Sequence, residues 1–394
     1  MTAVTSTIAR NVSASYISLR WVGPQLYVGN RDNRDYDRGI HKIGRDDSIA
    51  MFLCRRCPPH SMRTQVRQAS AASIRQGAAL IRLGQPVAFP TETVYGLGAS
   101  AFDSHAVRRV FDAKGRPADN PLIVHVTSMK DVRRLVTGIP PKAKKLMRRF
   151  WPGPLTLVMR KSDAVPRIVT AGLWTVAVRM PSHPVARRLI RAAGVPIAAP
   201  SANRSGKPSP TTAAHVFADM DGRIPLIIDG GRCTVGIEST VVDMTGTVPV
   251  LLRPGGVTLP QLRKAVGRVS VHRGVLREVK GRRAARSPGL KHRHYAPMAA
   301  MVIVPRRRLD GFVRRLKSRR IGVIVFGSAA PFLENVIVRD VGRKSEEAAR
   351  QLFDALRFFD DKNVDVIVCQ ACPRSDEWLG VRNRLLRAAG FKRA

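Results

Sequence analysis

A short apolar run, Pro86-Val87-Ala88, gives way at Phe89 to Pro90-Thr91-Glu92-Thr93-Val94-Tyr95-Gly96-Leu97-Gly98. The run reads as a buried strand, and the residues after it are polar where a strand should end. Its two glycines permit tight turning or close backbone approach. Thr91 and Thr93 place hydroxyls beside the Glu92 carboxylate and the Tyr95 phenol, a set that packing alone does not require. A strand, a turn and a capping threonine would account for the same residues.

Around this stretch, strand and helix patterns are interspersed. Helices are expected over Val66 to Leu83, Ser104 to Ala113, Pro141 to Phe150 and Pro184 to Ala193. Strands are expected over Leu122 to Val126, Leu155 to Met159, Thr175 to Arg179, Leu226 to Asp229, Ser239 to Val242 and Val250 to Arg253. Such mixing makes an α/β domain. From Met301, three apolar runs alternate with helical patterns at Leu309 to Lys317, Glu346 to Phe359 and Leu379 to Ala389. That βαβ rhythm implies a second, smaller and mostly parallel sheet. The expected organisation is a basic, poorly structured extension over 1–68, a first α/β domain over 69–260, a basic connector over 261–298 and a C-terminal α/β domain over 299–394.

The chain has 68 basic against 28 acidic residues, a formal net charge of +40. This excess favours a polyanionic partner, whether nucleotide, RNA or an anionic surface. A GC-rich genome that uses arginine freely would produce it too. No apolar run reaches the roughly 18 residues of a membrane span. Five cysteines, with separated pairs at Cys54/Cys57 and Cys369/Cys372, do not resemble a secreted disulfide framework, and a cytoplasmic location fits. Cys54 and Cys57 with His60 make half of a zinc site, which the distant second pair would complete only if the tail folded back. The first twenty residues faintly resemble a transit peptide, while Met62 would make a natural start.

Three features point to an anionic ligand. Lys114 and Arg116 lie in a loop fixed by Gly115 and Pro117, as a phosphate clamp would. Ser201, Asn203, Ser205 and Ser209 form a hydroxyl- and amide-rich loop suited to sugar or phosphate oxygens. Arg179 and Arg253 each end an expected strand, where α/β sites collect. Neither a Ser-His-Asp order nor a Gly-x-Gly-x-x-Gly or Gly-Lys-Ser/Thr loop is present. Spacing and charge reach a nucleotide pocket and no further.

Several motifs together carry a resemblance. Phe89 to Gly98, Lys114-Gly115-Arg116-Pro117 with Asn120-Pro121-Leu122, and Trp151-Pro152-Gly153-Pro154-Leu155-Thr156 are three of them. Pro200-Ser201-Ala202-Asn203, Ser239-Thr240 and Arg253-Pro254-Gly255 come next in order. Together they closely resemble the L-threonylcarbamoyladenylate synthase family. Ser287-Pro288-Gly289 and His294-Tyr295-Ala296-Pro297 look like the connector of its two-domain type.

The resemblance implies a twisted mixed-sheet, YrdC-like catalytic domain and a smaller Rossmann-like C-terminal domain. It implies that L-threonine, bicarbonate and ATP, the last with Mg2+, give L-threonylcarbamoyladenylate and pyrophosphate. The product would pass to the tRNA threonylcarbamoyltransferase machinery, which modifies the adenosine next to the anticodon. By motif, Thr93, His125, Arg179, Ala199 and Ser239 would hold threonine. Arg116, Asn120, Thr175, Ser201, Ser209, Arg253 and Tyr295 would hold ATP. Lys114 would sit on the phosphates, sharing the catalytic role with Arg116 and Arg253, and Tyr295 would close over the nucleotide without filling a core. No protein metal ligands are implied. Three departures stand out: residues 1–68 match nothing in the family, Cys369 and Cys372 are outside its pattern, and Asp376 to Gly380 is less glycine-rich than usual. The rival readings are a non-catalytic RNA-binding module of the same fold, and carbamoyl transfer as in hydrogenase-maturation proteins, whose acylphosphatase and zinc-finger regions are missing here.

Overall fold

The computed structural model describes residues 63–278, 294–317, 320–327 and 334–393, with the backbone of two further strands, Ile17–Val22 and Gln25–Asn30. Those two pair antiparallel, Ile17 opposite Asn30, in a unit of their own, Met1–Pro58. These two paired strands fall within the extension expected to be poorly structured. Cys54, Cys57, His60, Met62 and Ser287-Pro288-Gly289 lie outside the described residues.

The second unit, Pro59–Ala394, holds two sheets. The larger has eleven strands. From edge to edge they are Ser270–Val271, Val250–Arg253, Thr240–Asp243, Leu155–Arg160, Thr175–Arg179, Ile123–His125, Ile197–Ala199, Gly96–Ser100, Val87–Phe89, Leu226–Asp229 and Gln65–Gln68. Parallel and antiparallel neighbours alternate irregularly, so the sheet is mixed. Its central strands are buried on both faces: Leu155, Leu157, Val178 and Val242 sit in one apolar cluster, and Phe89, Ile197 and Ile228 in another.

The helix expected from Val66 begins later, at Ala71, where Ser70 and Ser73 form a reciprocal capping box. The residues before it, Gln65–Gln68, add a parallel edge strand, Gln65 opposite Leu226. Only Val66 is apolar there and it is 44% exposed. Backbone pairing and not a buried face makes this strand, which leaves no period to read. Just ahead of it, buried Thr64 donates its hydroxyl to the Ile224 carbonyl at 2.7 Å. Similarly, the expected connector starts as folded structure. The helix Leu259–Val266 is capped by a Thr258–Gln261 box and buries Leu262 in the main core.

The smaller sheet has four parallel strands in the order Ala300–Val304, Val366–Gln370, Ile321–Val325, Val336–Asp340. The last of these was not expected, being a half-exposed edge strand. The helix Ser345–Asp361 buries Leu352, Phe353, Leu356 and Phe359. Its other side meets the larger domain at Gly236, which has φ +80°. A Cβ at Gly236 would overlap the backbone of Arg350, so the two domains touch main chain to main chain. Among the described residues, no helix is long and apolar enough to cross a membrane.

Candidate active site

The ends of adjacent strands converge on one cavity. His125 and Arg179 close two parallel strands and stand opposite each other in register, with Thr156 the partner of Arg179 on its other side. Arg253 closes a third strand, and Ser239 immediately precedes a fourth. This is the strand-end location where α/β folds gather their sites.

On one wall, the turn after Phe89 is held by its own hydroxyls. Thr91 donates to the Val94 carbonyl at 2.6 Å, and its oxygen lies 2.8 Å from that of Thr93. Arg179 donates to the Thr93 hydroxyl at 2.9 Å and to the Gly153 carbonyl at 3.3 Å, and forms a 2.7 Å ion pair with Glu92. Burial raises the Glu92 pKa, but the Arg179 charge and hydrogen bond outweigh it and keep the carboxyl below its usual value. His125 is neutral. Burial first and the Arg179 charge second push its pKa down to about 3. Its Nδ1 lies 3.2 Å from the Ile123 carbonyl.

On the other wall, Arg253 donates to the Ser239 carbonyl and hydroxyl, both at 3.1 Å. Ser239 Oγ also lies 2.7 Å from Thr156 Oγ1. Gly255 makes this possible, because a Cβ there would overlap the Glu238 carbonyl and the peptide of Ser239. The serine-rich loop is cross-braced by Ser201 donating to Asn203 Oδ1 at 2.5 Å and by Asn203 donating to the Lys207 carbonyl at 2.9 Å. Ser209 donates to Glu238 Oε1 at 2.5 Å. Arg116 is fixed by the carbonyls of Asn120 and Pro121. Burial lowers its pKa to about 10, which leaves it charged at neutral pH.

Thr93, His125, Arg179, Ala199, Ser239, Arg116, Ser201, Ser209, Arg253 and Tyr295 all line the cavity. Three expected residues do not. Lys114 ends a helix beneath the serine-rich loop, and its ammonium donates to the carbonyls of Ser201 and Asn203. A buried ammonium needs acceptors, and here two carbonyls supply them, so Lys114 shapes the loop. Burial, and then the Arg116 charge, hold its pKa well below the usual lysine value. Asn120 is buried and offers Arg116 its main-chain carbonyl. Thr175 pairs with Arg160 at the opposite end of the strand from Arg179, about 13 Å away at the rise of a strand.

The lining also includes residues to which no role was given: Lys207, Glu238 and His294. Glu238 pairs with Arg384 of the C-terminal domain at 2.7 Å, a partner that no local pattern could indicate. Tyr295 differs from expectation in one respect. It lines the cavity, yet it is only 5% exposed. Its ring lies 5.2 Å from that of Phe353 and under the Arg384 guanidinium at 5.4 Å. It both covers the cavity and fills a core.

Four cations, Arg116, Arg179, Lys207 and Arg253, line the cavity against one carboxylate, Glu238. That balance suits an anionic ligand, and the many hydroxyls suit one rich in oxygen.

Comparison with known proteins agrees. The family model described as telomere recombination, which groups Sua5, YciO and YrdC, matches residues 79–255. That of the threonylcarbamoyl-AMP synthase C-terminal domain matches residues 257–390. Threonylcarbamoyl-AMP synthase of Pyrococcus abyssi is 49% identical over 81% of this chain and 94% of its own length. The Bacillus subtilis enzyme of that name is 48% identical over 80% and 93%. The crystal structure of P. abyssi Sua5 complexed with L-threonine superposes with a TM-score of 0.79, at 47% identity, over 84% of this chain and 98% of that one. The two models, these identities and the shared fold place this chain in the threonylcarbamoyl-AMP synthase family.

Proposed function

We propose that this chain makes L-threonylcarbamoyladenylate and pyrophosphate from L-threonine, bicarbonate and ATP. The observation that carries this reading is the joining of two ligand sets in one cavity: Thr93, His125, Arg179 and Ser239 beside Arg116, Ser201, Ser209 and Arg253. The Arg253–Ser239 hydrogen bond at 3.1 Å ties one set to the other.

The chemistry needs no side-chain nucleophile. Bicarbonate and the threonine amine condense to a carbamate with loss of water. A carbamate oxygen then attacks the α-phosphorus of ATP, and the bond from that phosphorus to the bridging oxygen breaks, releasing pyrophosphate. Negative charge grows on the phosphoryl oxygens, and arginines that are already oriented stabilise it without reorganising. Arg116 and Arg253 are the cations for that role, and Arg179 is the one for the threonine carboxylate. The product is a mixed anhydride, which calls for a transferase to accept its threonylcarbamoyl group, as tRNA threonylcarbamoylation does.

Magnesium is expected with ATP. Among the described residues, no three His, Cys, Asp or Glu side chains cluster to hold a metal. The carboxylate lining the cavity, Glu238, is already engaged by Ser209 and Arg384. These residues do not build a magnesium site, and the ion would enter on the phosphates of ATP. RNA is a poorer fit to this cavity. Arg179 and Arg253 are 3% and 6% exposed, whereas RNA phosphates are met by exposed cations.

The test is pyrophosphate release from ATP, measured complete and with threonine or bicarbonate omitted. Release that depends on both supports the reading. Release indifferent to threonine, or none from the folded protein, overturns it.

A further inference from the structure

Arg384 does not line the cavity, yet it is fully buried, at 0% exposure, on a helix of the C-terminal domain. A buried guanidinium persists only when it is paired and hydrogen-bonded. Each longer-range partner of Arg384 belongs to the cavity or adjoins it. It donates to Glu238 Oε2 at 2.7 Å and to the carbonyl of Pro254, next to Arg253, at 2.8 Å. Its guanidinium lies over the ring of Tyr295. Its other hydrogen bond goes to neighbouring Asn383. A second buried arginine of that domain, Arg357, reaches the serine-rich loop directly, donating to the Pro208 carbonyl at 2.5 Å, and pairs with Asp219 at 2.7 Å.

We propose that Arg384 is a positioning residue for the nucleotide half of the site, acting through Glu238 on Ser209. Paired with Arg384, Glu238 stays ionised and offers only acceptors. Ser209 must therefore give its one proton to Glu238 Oε1. What it turns toward the cavity is lone pairs. Such a hydroxyl accepts a hydrogen bond from a donor on the nucleotide, a ribose hydroxyl or a base amine, and does not donate to a phosphate. Without Arg384, Glu238 loses its ion-pair partner and keeps only the more distant charge of Arg253, and the Ser209 hydroxyl is held less firmly in its orientation. Threonine-side contacts, centred on Thr93 and Arg179, share no partner with Arg384 and should be spared.

This inference rests on the proposed reaction, and its test separates the two. The full chain and the variants Arg384→Met, Arg384→Lys and Glu238→Gln are compared by pyrophosphate release, by calorimetric titration with ATP and with threonine, and by thermal melting. Arg384→Met is expected to raise the ATP KM and Kd about tenfold, the scale of one charge-assisted hydrogen bond, with threonine affinity within about twofold. Arg384→Lys should recover part of the loss. Adding Glu238→Gln to Arg384→Met removes the carboxylate that has lost its ion-pair partner, so melting temperature should recover in part while ATP affinity does not. If Arg384→Met fails to fold, Glu238→Gln alone reads the link, with weakened ATP binding on an intact fold. Parental ATP affinity in a folded variant, or equal losses for ATP and threonine, would overturn the inference. A parent that binds ATP but releases no pyrophosphate would overturn the reaction instead, and the ATP titrations would still decide the role of Arg384.

Discussion

Arg179 and Glu92 form a buried ion pair at 2.7 Å, so the cation that would receive the carboxylate of threonine already has a carboxylate partner. Ligand and Glu92 then share one guanidinium. Replacing Glu92 with Ala strands the buried charge, which costs about 3–5 kcal/mol in comparable cases. A bound threonine carboxylate would restore the missing negative charge. Threonine should therefore raise the melting temperature of Glu92→Ala by more than it raises that of the parent. Equal shifts in a thermal melt would mean that threonine does not reach Arg179.

Tyr295 has two duties that substitution can separate. Tyr295→Phe keeps the ring against Phe353 and beneath Arg384, and its melting temperature should stay near the parent's. Tyr295→Ala opens a hole beneath a buried aromatic and should cost about 3 kcal/mol, with weaker ATP binding as well. Calorimetric ATP titrations beside the melts decide this. An Ala variant that keeps the parent's ATP affinity would show that the ring serves the core alone.

Acid should loosen the fold before carboxylates are involved. Burial, the largest cause in each case, pushes the pKa of His125, His183 and His215 below 6.5, to about 3 for His125 and about 4 for His215. Below pH 6.5 the unfolded chain binds protons that the folded chain refuses. The stabilisation is thus complete above pH 6.5 and declines as pH falls toward the folded values. Depressed carboxylates such as Glu92 and Glu238 contribute only from about pH 4.5 downward, their ordinary value. Melting temperature should fall between pH 6.5 and 4.5, and His125→Asn should flatten part of that slope. A melting temperature constant over this range would contradict neutral burial of these rings.

Shortening the chain tests where folded structure begins. A chain starting at Met62 retains Thr64 and the edge strand Gln65–Gln68, and should release pyrophosphate at the parental rate. One starting at Ala69 loses both and should melt several degrees lower. Equal melting temperatures for the two would mean that the edge strand adds no stability.

Some of this site was readable in the residues. Arg179 and Arg253 end strands that the apolar runs outline, and the Ser201 loop is marked by composition that neither helix nor strand would choose. Where each side chain spends its hydrogen bonds was not readable. Lys114 reads as a phosphate cation because its loop is short and glycine-fixed, but a buried ammonium goes to whatever acceptors lie nearest, and those are carbonyls of a loop 87 and 89 positions away. Thr175 shares a strand with Arg179 and so reads as sharing its site, yet four residues of extended chain carry it to the other end of the sheet. Glu238 and Arg384 are 146 positions apart, and nothing local to either reveals the other. The strand Gln65–Gln68 was hidden for another reason. An edge strand held by backbone bonds needs no hydrophobic alternation.

The contact at Gly236 bears on how the two halves of the chain can be exchanged. With main chain pressed against the backbone of Ala349 and Arg350, the fit depends on the path of a helix and not on the identity of its side chains. A chimera that borrows the C-terminal half of a relative will assemble only if the incoming helix takes that same path past residue 236. Matching the side chains of the donor interface would not rescue one that runs even slightly closer.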